Sequence, residues 1–156
     1  GIVQGMRPII GYNYGAGESS RVKSTIRYSL LTAAGLMLTG TILALALPKQ
    51  ILSLFDADAA LMSAGVTALR IISLGFLVSS VGLIYSGVFE AIGNGRNSLI
   101  ISLLRQFVIT IPLSFILTRF FGPTGVWISF PVGELCASAA AFCLLKKYQN
   151  GAFSPL

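Results

Sequence analysis

Three charged side chains stand where an otherwise oily chain has little ordinary use for charge. Glu90, Arg105 and Glu134 each lie inside or at the end of a long apolar run. A charge held against lipid at the middle of a bilayer costs at least about 2.5 kcal/mol, so such groups pair, turn toward water or take up a proton. The chemistry open to them is binding and release of a proton or small cation, or the gating of a polar path. The sequence has no histidine, which removes imidazole relays and His-based zinc sites and leaves proton chemistry to carboxylates.

Glu134 is the most demanding of the three. It lies about nine positions into the apolar run 126–145, and Pro131, one turn earlier, cannot donate a backbone hydrogen bond and so opens a local polar site. Two roles stand open for it: ion coupling or gating, and a buried structural hydrogen bond. Glu90 shares a helical face with Gly75, Ser79, Gly82, Ser86 and Gly93, at steps of three and four. There it can partner Arg96 or Arg105, or take part in coupling. Arg105 lies about eight residues into its run, or ~12 Å, so its long stem either snorkels back to the interface or reaches Glu90. The small-residue stripe, and a second one at Gly133, Ala137 and Ala141, reads as close helix packing, with a cavity lining as the alternative.

The elements that must position these groups follow from the apolar runs. The longest polar interruption, Arg7 to Lys23, is punctuated by glycine and reads as a water-facing hinge between membrane helices. Residues 1–10 read as the tail of a span. The chain opens on Gly1 without a signal-peptide pattern and is expected to begin within a longer protein. Residues 26–47 form the first complete span, about 22 residues reaching ~33 Å at ~1.5 Å each. Residues 49–64 mix Leu52, Leu54 and Phe55 with Asp56 and Asp58 and are expected at the interface, with Asp58 capping the helix that follows. That helix, with its span at 65–91, is longer than the bilayer is thick, which predicts tilt, a projecting end or a bend near Gly65. The third span is expected at 97–120, around Arg105 and Pro112, and the last at 126–145, ending on Lys146 and Lys147.

Composition bounds the class. Of 156 residues, 54% are hydrophobic and 10% charged, which is outside the range of a soluble domain. The net charge of +6 collects at the ends of apolar runs, a membrane-topology pattern rather than a nucleic-acid-binding face. With the first polar segment on the cytoplasmic side, Arg21, Lys23, Arg27, Arg96, Lys146 and Lys147 fall on that side, as the positive-inside rule favours. Cys136 and Cys143 lack metal or redox spacing and read as small packing thiols. A phosphate loop, a paired-carboxylate site and a nucleophile elbow are all missing, so no enzyme reading survives.

Three stretches, in order, carry a family likeness. They are Pro8-Ile-Ile-Gly11-Tyr-Asn13-Tyr-Gly15-Ala16-Gly17 with Arg21-Val22, then Ala91-Ile-Gly93-Asn-Gly95-Arg-Asn97, then Gly122-Pro-Thr-Gly125-Val-Trp127-Ile-Ser-Phe-Pro131-Val-Gly-Glu134. Together they resemble the multidrug and toxic compound extrusion (MATE) family of efflux transporters. The resemblance implies an all-α, polytopic transmembrane bundle, part of one six-helix lobe in a two-lobe plan of twelve spans, running from the end of the eighth span through the twelfth. It further implies a multi-pass cell-membrane protein that exports amphipathic or cationic organic compounds in antiport with H+ or Na+. No cofactor beyond that coupling ion is implied. The implied partners are the bilayer, an N-terminal lobe of the same chain and small organic substrates, with no nucleic acid. One branch of the family places a cation-binding acid in the tenth span; the matching stretch here, Val78-Ser79-Ser80-Val81-Gly82, has none. The competing readings are a lipid-linked oligosaccharide flippase of the same superfamily and a non-transporting membrane subunit.

Overall fold

Why the polar stretch near the start does not become a loop is answered by the helix it extends. The computed structural model describes residues 1–55 and 58–151, so Asp56 lies outside the described residues. In it α1 spans Ile2–Gly15 and α2 spans Ser19–Ala46, and the expected hinge at Arg7 to Lys23 shrinks to the turn at residues 16–18. Helical hydrogen bonds satisfy the backbone of polar residues as well as of apolar ones. Asn13, buried at 7% exposure, turns its amide back onto the Ile9 carbonyl at 2.8 Å. The reversal itself is made by Gly17 at φ +75°, a conformation that costs glycine little.

After α2 come α3 (Pro48–Ser53), α4 (Ala59–Ser73), α5 (Phe76–Ala91) and α6 (Gly95–Leu103). A π-helical segment, Leu104–Thr110, joins α6 to α7 (Ile111–Phe121), and α8 runs over Pro123–Gly151. No strand occurs among the described residues. Among the described residues, three helical stretches are long and apolar enough to cross a membrane: Ser19–Ala46, Gly95–Phe121 and Pro123–Tyr148. A fourth crossing is made if α4 and α5 count as one broken span, since they pass the same test together and meet at 54°.

That bend corrects the expectation of a bend near Gly65. Gly65 lies within α4, tucked against Leu52 of α3. The break falls at Leu74 and Gly75 because α8 passes so close there that a side chain on Gly75 would lie 2.9 Å from the Pro131 Cα. Ser73, fully buried at the break, bonds its hydroxyl to the Arg70 carbonyl at 2.9 Å, and the Thr41 hydroxyl of α2 reaches the Ser73 carbonyl at 3.0 Å. Backbone groups released by the bend thus find side-chain partners, as lipid surroundings require. At the start of α4, Asp58 caps the helix by accepting from the Leu61 N–H at 2.7 Å.

α5 is the central helix. Its Ile84, Val88 and Phe89 are almost completely buried among Met6 and Ile10 of α1, Val22 and Ile26 of α2, and Ala141 and Leu145 of α8. α8 approaches α5 closely here: a Cβ on Gly82 would lie 3.2 Å from the Ser138 hydroxyl, which itself donates to the Val78 carbonyl at 2.8 Å. Ala137 and Ala141 are fully buried, so the stripes serve close packing. Cys136 and Cys143, by contrast, are exposed, which corrects their reading as packing thiols. They share α8 with the alanines but face the other way. The outward faces carry large apolar side chains such as Leu36, Ile42, Phe107 and Phe115, the surface that a bilayer or another apolar segment covers.

Two expectations follow. Gly75→Ala forces α8 away from the bend and should lower stability by about 1–3 kcal/mol, whereas Gly35→Ala, with nothing within 4 Å, should raise it by about 0.5–1 kcal/mol; thermal unfolding in detergent measures both, and equal signs would contradict the packing at Pro131. In a background with Cys136 and Cys143 replaced by alanine, cysteines at Ser20 and Asp58 should label from opposite sides of the membrane, because the 28 residues of α2 rise about 42 Å between them. Labelling of both from one side would sink the four-crossing arrangement.

Candidate functional site

Arg105 owes its position to Pro112. A proline ring in a helix clashes with the carbonyl four residues back, here that of Val108, and the wider π turns of Leu104–Thr110 absorb the clash. Within that segment the Thr110 hydroxyl donates to the Arg105 carbonyl, five residues earlier, at 2.5 Å. The segment rests on α8 at Gly133, where any side chain would collide with Thr110 Oγ1. Glycine at 133 therefore lets the π segment approach, and the next residue on α8 is Glu134.

The result is an ion pair between elements. Arg105 Nη1 and Glu134 Oε2 stand 3.8 Å apart, with the side chains 27% and 23% exposed. At that distance the contact is electrostatic rather than a hydrogen bond, and Glu134 Oε2 is buried without a hydrogen-bond partner. The pair lies deep: Arg105 is ten residues beyond Gly95, where α6 begins, so about 15 Å along a hydrocarbon core of ~30 Å. Pro131 sits one turn from Glu134 and touches the α4–α5 bend. Three helix irregularities, the bend, the π segment and the proline of α8, therefore converge within residues 131–134 of one helix.

The expected pairing of Arg105 with Glu90 is corrected. Glu90 pairs instead with Arg7 of α1 and accepts from the Ser98 hydroxyl of α6 at 2.7 Å, while Ser98 also meets the Ser86 hydroxyl at 2.7 Å. Arg96 is exposed and makes no ion pair with it. The reason is rotational: the π turns direct Arg105 toward α8, and α1 crosses α5 where Glu90 needs a cation. Arg7 is the residue that sequence reasoning missed, and its signal was a cation inside an apolar opening run. Nearby, Phe89 meets the Tyr148 ring edge-on at a centroid distance of 5.9 Å, and the Tyr14 and Tyr148 hydroxyls lie 3.4 Å apart, which seals this end of the bundle. Among the described residues, no three of the carboxylates and thiols gather as a metal site.

Residues 1–116, covering α1 to the middle of α7, match the MatE family model. The chain belongs to the MATE family. Over 141 residues it is 28% identical to the multidrug export protein MepA of Staphylococcus saprophyticus and 30% identical to MepA of Staphylococcus aureus, matching 90% of this chain and 31% of each relative. The structure of the MATE multidrug transporter DinF-BH, solved in complex with a ligand, superposes with a TM-score of 0.86 at 33% identity, covering 96% of this chain and 33% of that one. A transporter of the MOP superfamily from Pyrococcus furiosus shares the fold at 22% identity and a TM-score of 0.86. The MATE chain thus spans about a third of the length of the relatives it matches. It is a membrane protein of a transporter family, folded as part of one MATE lobe.

The Arg7–Glu90 pair is testable apart from transport. Unfolding measured for Arg7→Met, Glu90→Gln and the double variant should show a coupling of about 0.5–3 kcal/mol. Additive losses would mean that the pair contributes nothing to joining α1 and α5.

Proposed function

We propose that this MATE chain is the C-terminal part of a secondary active efflux transporter of the cell membrane. In this reading the whole protein exports amphipathic or cationic organic compounds in antiport with H+ or Na+, through a midplane cavity shared with an N-terminal lobe of the same chain. It performs no covalent chemistry on its substrate. Support comes from family membership, from relatives named as multidrug export proteins, and from the multidrug transporter solved with a ligand bound.

The observation that carries the reading is the loose Arg105–Glu134 pair, set halfway along the spans where three helix irregularities converge. Broken helices near the midplane are where secondary transporters build their sites, because irregular backbone exposes polar groups that can bind an ion. Glu134 has an oxygen to spare, and its partner is near enough to neutralise it and far enough to be displaced. Protonation or cation binding at Glu134 would release Arg105, and with it the contact between the π segment and α8. Each state change at the carboxylate is thereby linked to how α6 and α7 sit on α8. A flippase for lipid-linked oligosaccharide needs a more cationic cavity, and here Arg105 is balanced by Glu134.

In the full-length protein, Glu134→Gln keeps shape and hydrogen bonding but removes the titration, whereas Glu134→Ala removes both. If the carboxylate couples or gates, the Gln variant folds and binds substrate yet loses turnover, or the pH dependence, of efflux. Wild-type efflux from the Gln variant between about pH 6 and 8 would leave Glu134 as a packing residue only.

A further inference from the structure

The hydroxyls of Thr25, Thr39, Thr41, Thr67 and Thr118 each bond back to the carbonyl four residues earlier. That is the reach an α-helix gives a threonine. Thr110 departs from it: its hydroxyl goes to the Arg105 carbonyl, five residues back, at 2.5 Å. Pro112 favours a wider turn at this place but does not by itself fix one, since Pro8 and Pro131 lie inside helices that stay α throughout. The contrast with Pro131 is close. Ser129 stands two residues before that proline, as Thr110 stands before Pro112, and is also buried, yet it bonds to the Val126 carbonyl three residues back at 2.6 Å. What sets the π segment apart is therefore the acceptor that its hydroxyl takes.

Thr110 is only 7% exposed and is backed by α8. It fills the room that Gly133 leaves: a Cβ at 133 would collide with Thr110 Oγ1 and come within 3.6 Å of the Arg105 carbonyl oxygen. One glycine thus covers both ends of the five-residue bond, and Glu134 follows it. Releasing the bond opens the usual alternative, the Gln106 carbonyl four residues back. Passing from the five-residue to the four-residue register takes one residue out of the turn. At 3.6 residues per turn that rotates the chain before it by ~100° relative to the chain after it. Arg105 stands 3.8 Å from Glu134, and a rotation of that size carries its guanidinium off α8. We propose that Thr110 is a positioning residue for the Arg105–Glu134 pair, its hydroxyl holding the π register that aims Arg105 at the carboxylate. Thr110 acts through Arg105. Its consequence for efflux rests on the transport reading above, whereas the positioning itself does not.

Unfolding of the full-length protein in detergent tests it, through the cycle of Arg105→Met, Glu134→Gln and their double variant. With Thr110 in place the two positions should couple by roughly fivefold or more in the unfolding equilibrium. Thr110→Val keeps the shape and loses the hydroxyl, and in that background the coupling should fall to within about twofold of none. Thr110→Ser, which keeps the hydroxyl, should restore it. Thr118→Val, which removes an exposed hydroxyl bonded four residues back, should leave it intact. A threonine that only packs would change overall stability without moving this coupling. If Thr110→Val does not fold, Thr110→Ala, which leaves no γ-atom against Gly133, carries the same cycle. Coupling that survives loss of the hydroxyl overturns the proposal. So does failure of Thr110→Ser to restore it, and so does absence of coupling with Thr110 in place, since there is then no pair to position. Efflux is read separately, and Thr110→Val should lose turnover as Glu134→Gln does. If the coupling is lost while both variants transport at the wild-type rate, the positioning role stands and the transport reading falls; if Glu134→Gln loses turnover while Thr110→Val keeps the coupling, the reverse holds.

Discussion

Lipid offers the backbone no hydrogen bonds, and that constraint governs this chain wherever a helix is interrupted. Unpaired N–H and C=O groups in hydrocarbon cost several kcal/mol each, so every break has to be met by a neighbour. At the α4–α5 bend the neighbours are Thr41 and Ser73. At the π segment the Thr110 hydroxyl takes up the Arg105 carbonyl. Both breaks lean on α8 around Pro131 and Gly133, a proline and a glycine close enough in sequence to form one docking point. The ion pair is a by-product of this arrangement: the glycine that admits the π segment stands next to the acid that meets its arginine.

Packing on the remaining faces follows from the same need for close approach. Without a hydrophobic driving force between helices, contact area and interhelical hydrogen bonds must hold them. Gly82 and Ser138 permit one such approach, and the Ser138 hydroxyl to the Val78 carbonyl supplies one such bond. α5 therefore lies at the middle of the bundle although it is only 16 residues long. Its brevity matters less than its burial.

Much of this was legible in the sequence. Apolar runs long enough to cross a bilayer, a Lys and Arg bias, and three glycine-containing motifs pointed to a membrane bundle of the MATE family. Glu134 was legible as a deep acid because depth can be counted along a helix. Its partner was not, since partner choice depends on rotation about the helix axis, and the π turns before Pro112 rotate Arg105 by an amount that no spacing rule contains. The bend at Gly75 was misplaced to Gly65 for a related reason: a glycine's sequence shows that a close approach is possible, while only the crossing helix decides which glycine is used. Arg7 escaped notice because its partner lies 83 residues away, beyond anything local periodicity reports.

The hydroxyls beside Glu90 carry a sense of direction. Ser98 has a single hydroxyl proton and spends it on the Glu90 carboxylate, so the bond between Ser86 and Ser98 must run from Ser86. Two dipoles are thereby aligned head to tail toward an anion, and each polarises the next. With Arg7 closing on the same carboxylate from the other side, the first turn of α6 is tied to α1 by an ordered file of donors ending on a shared acceptor. The wiring is one-way because its last acceptor, the Glu90 carboxylate, offers only lone pairs to Ser98 and Arg7.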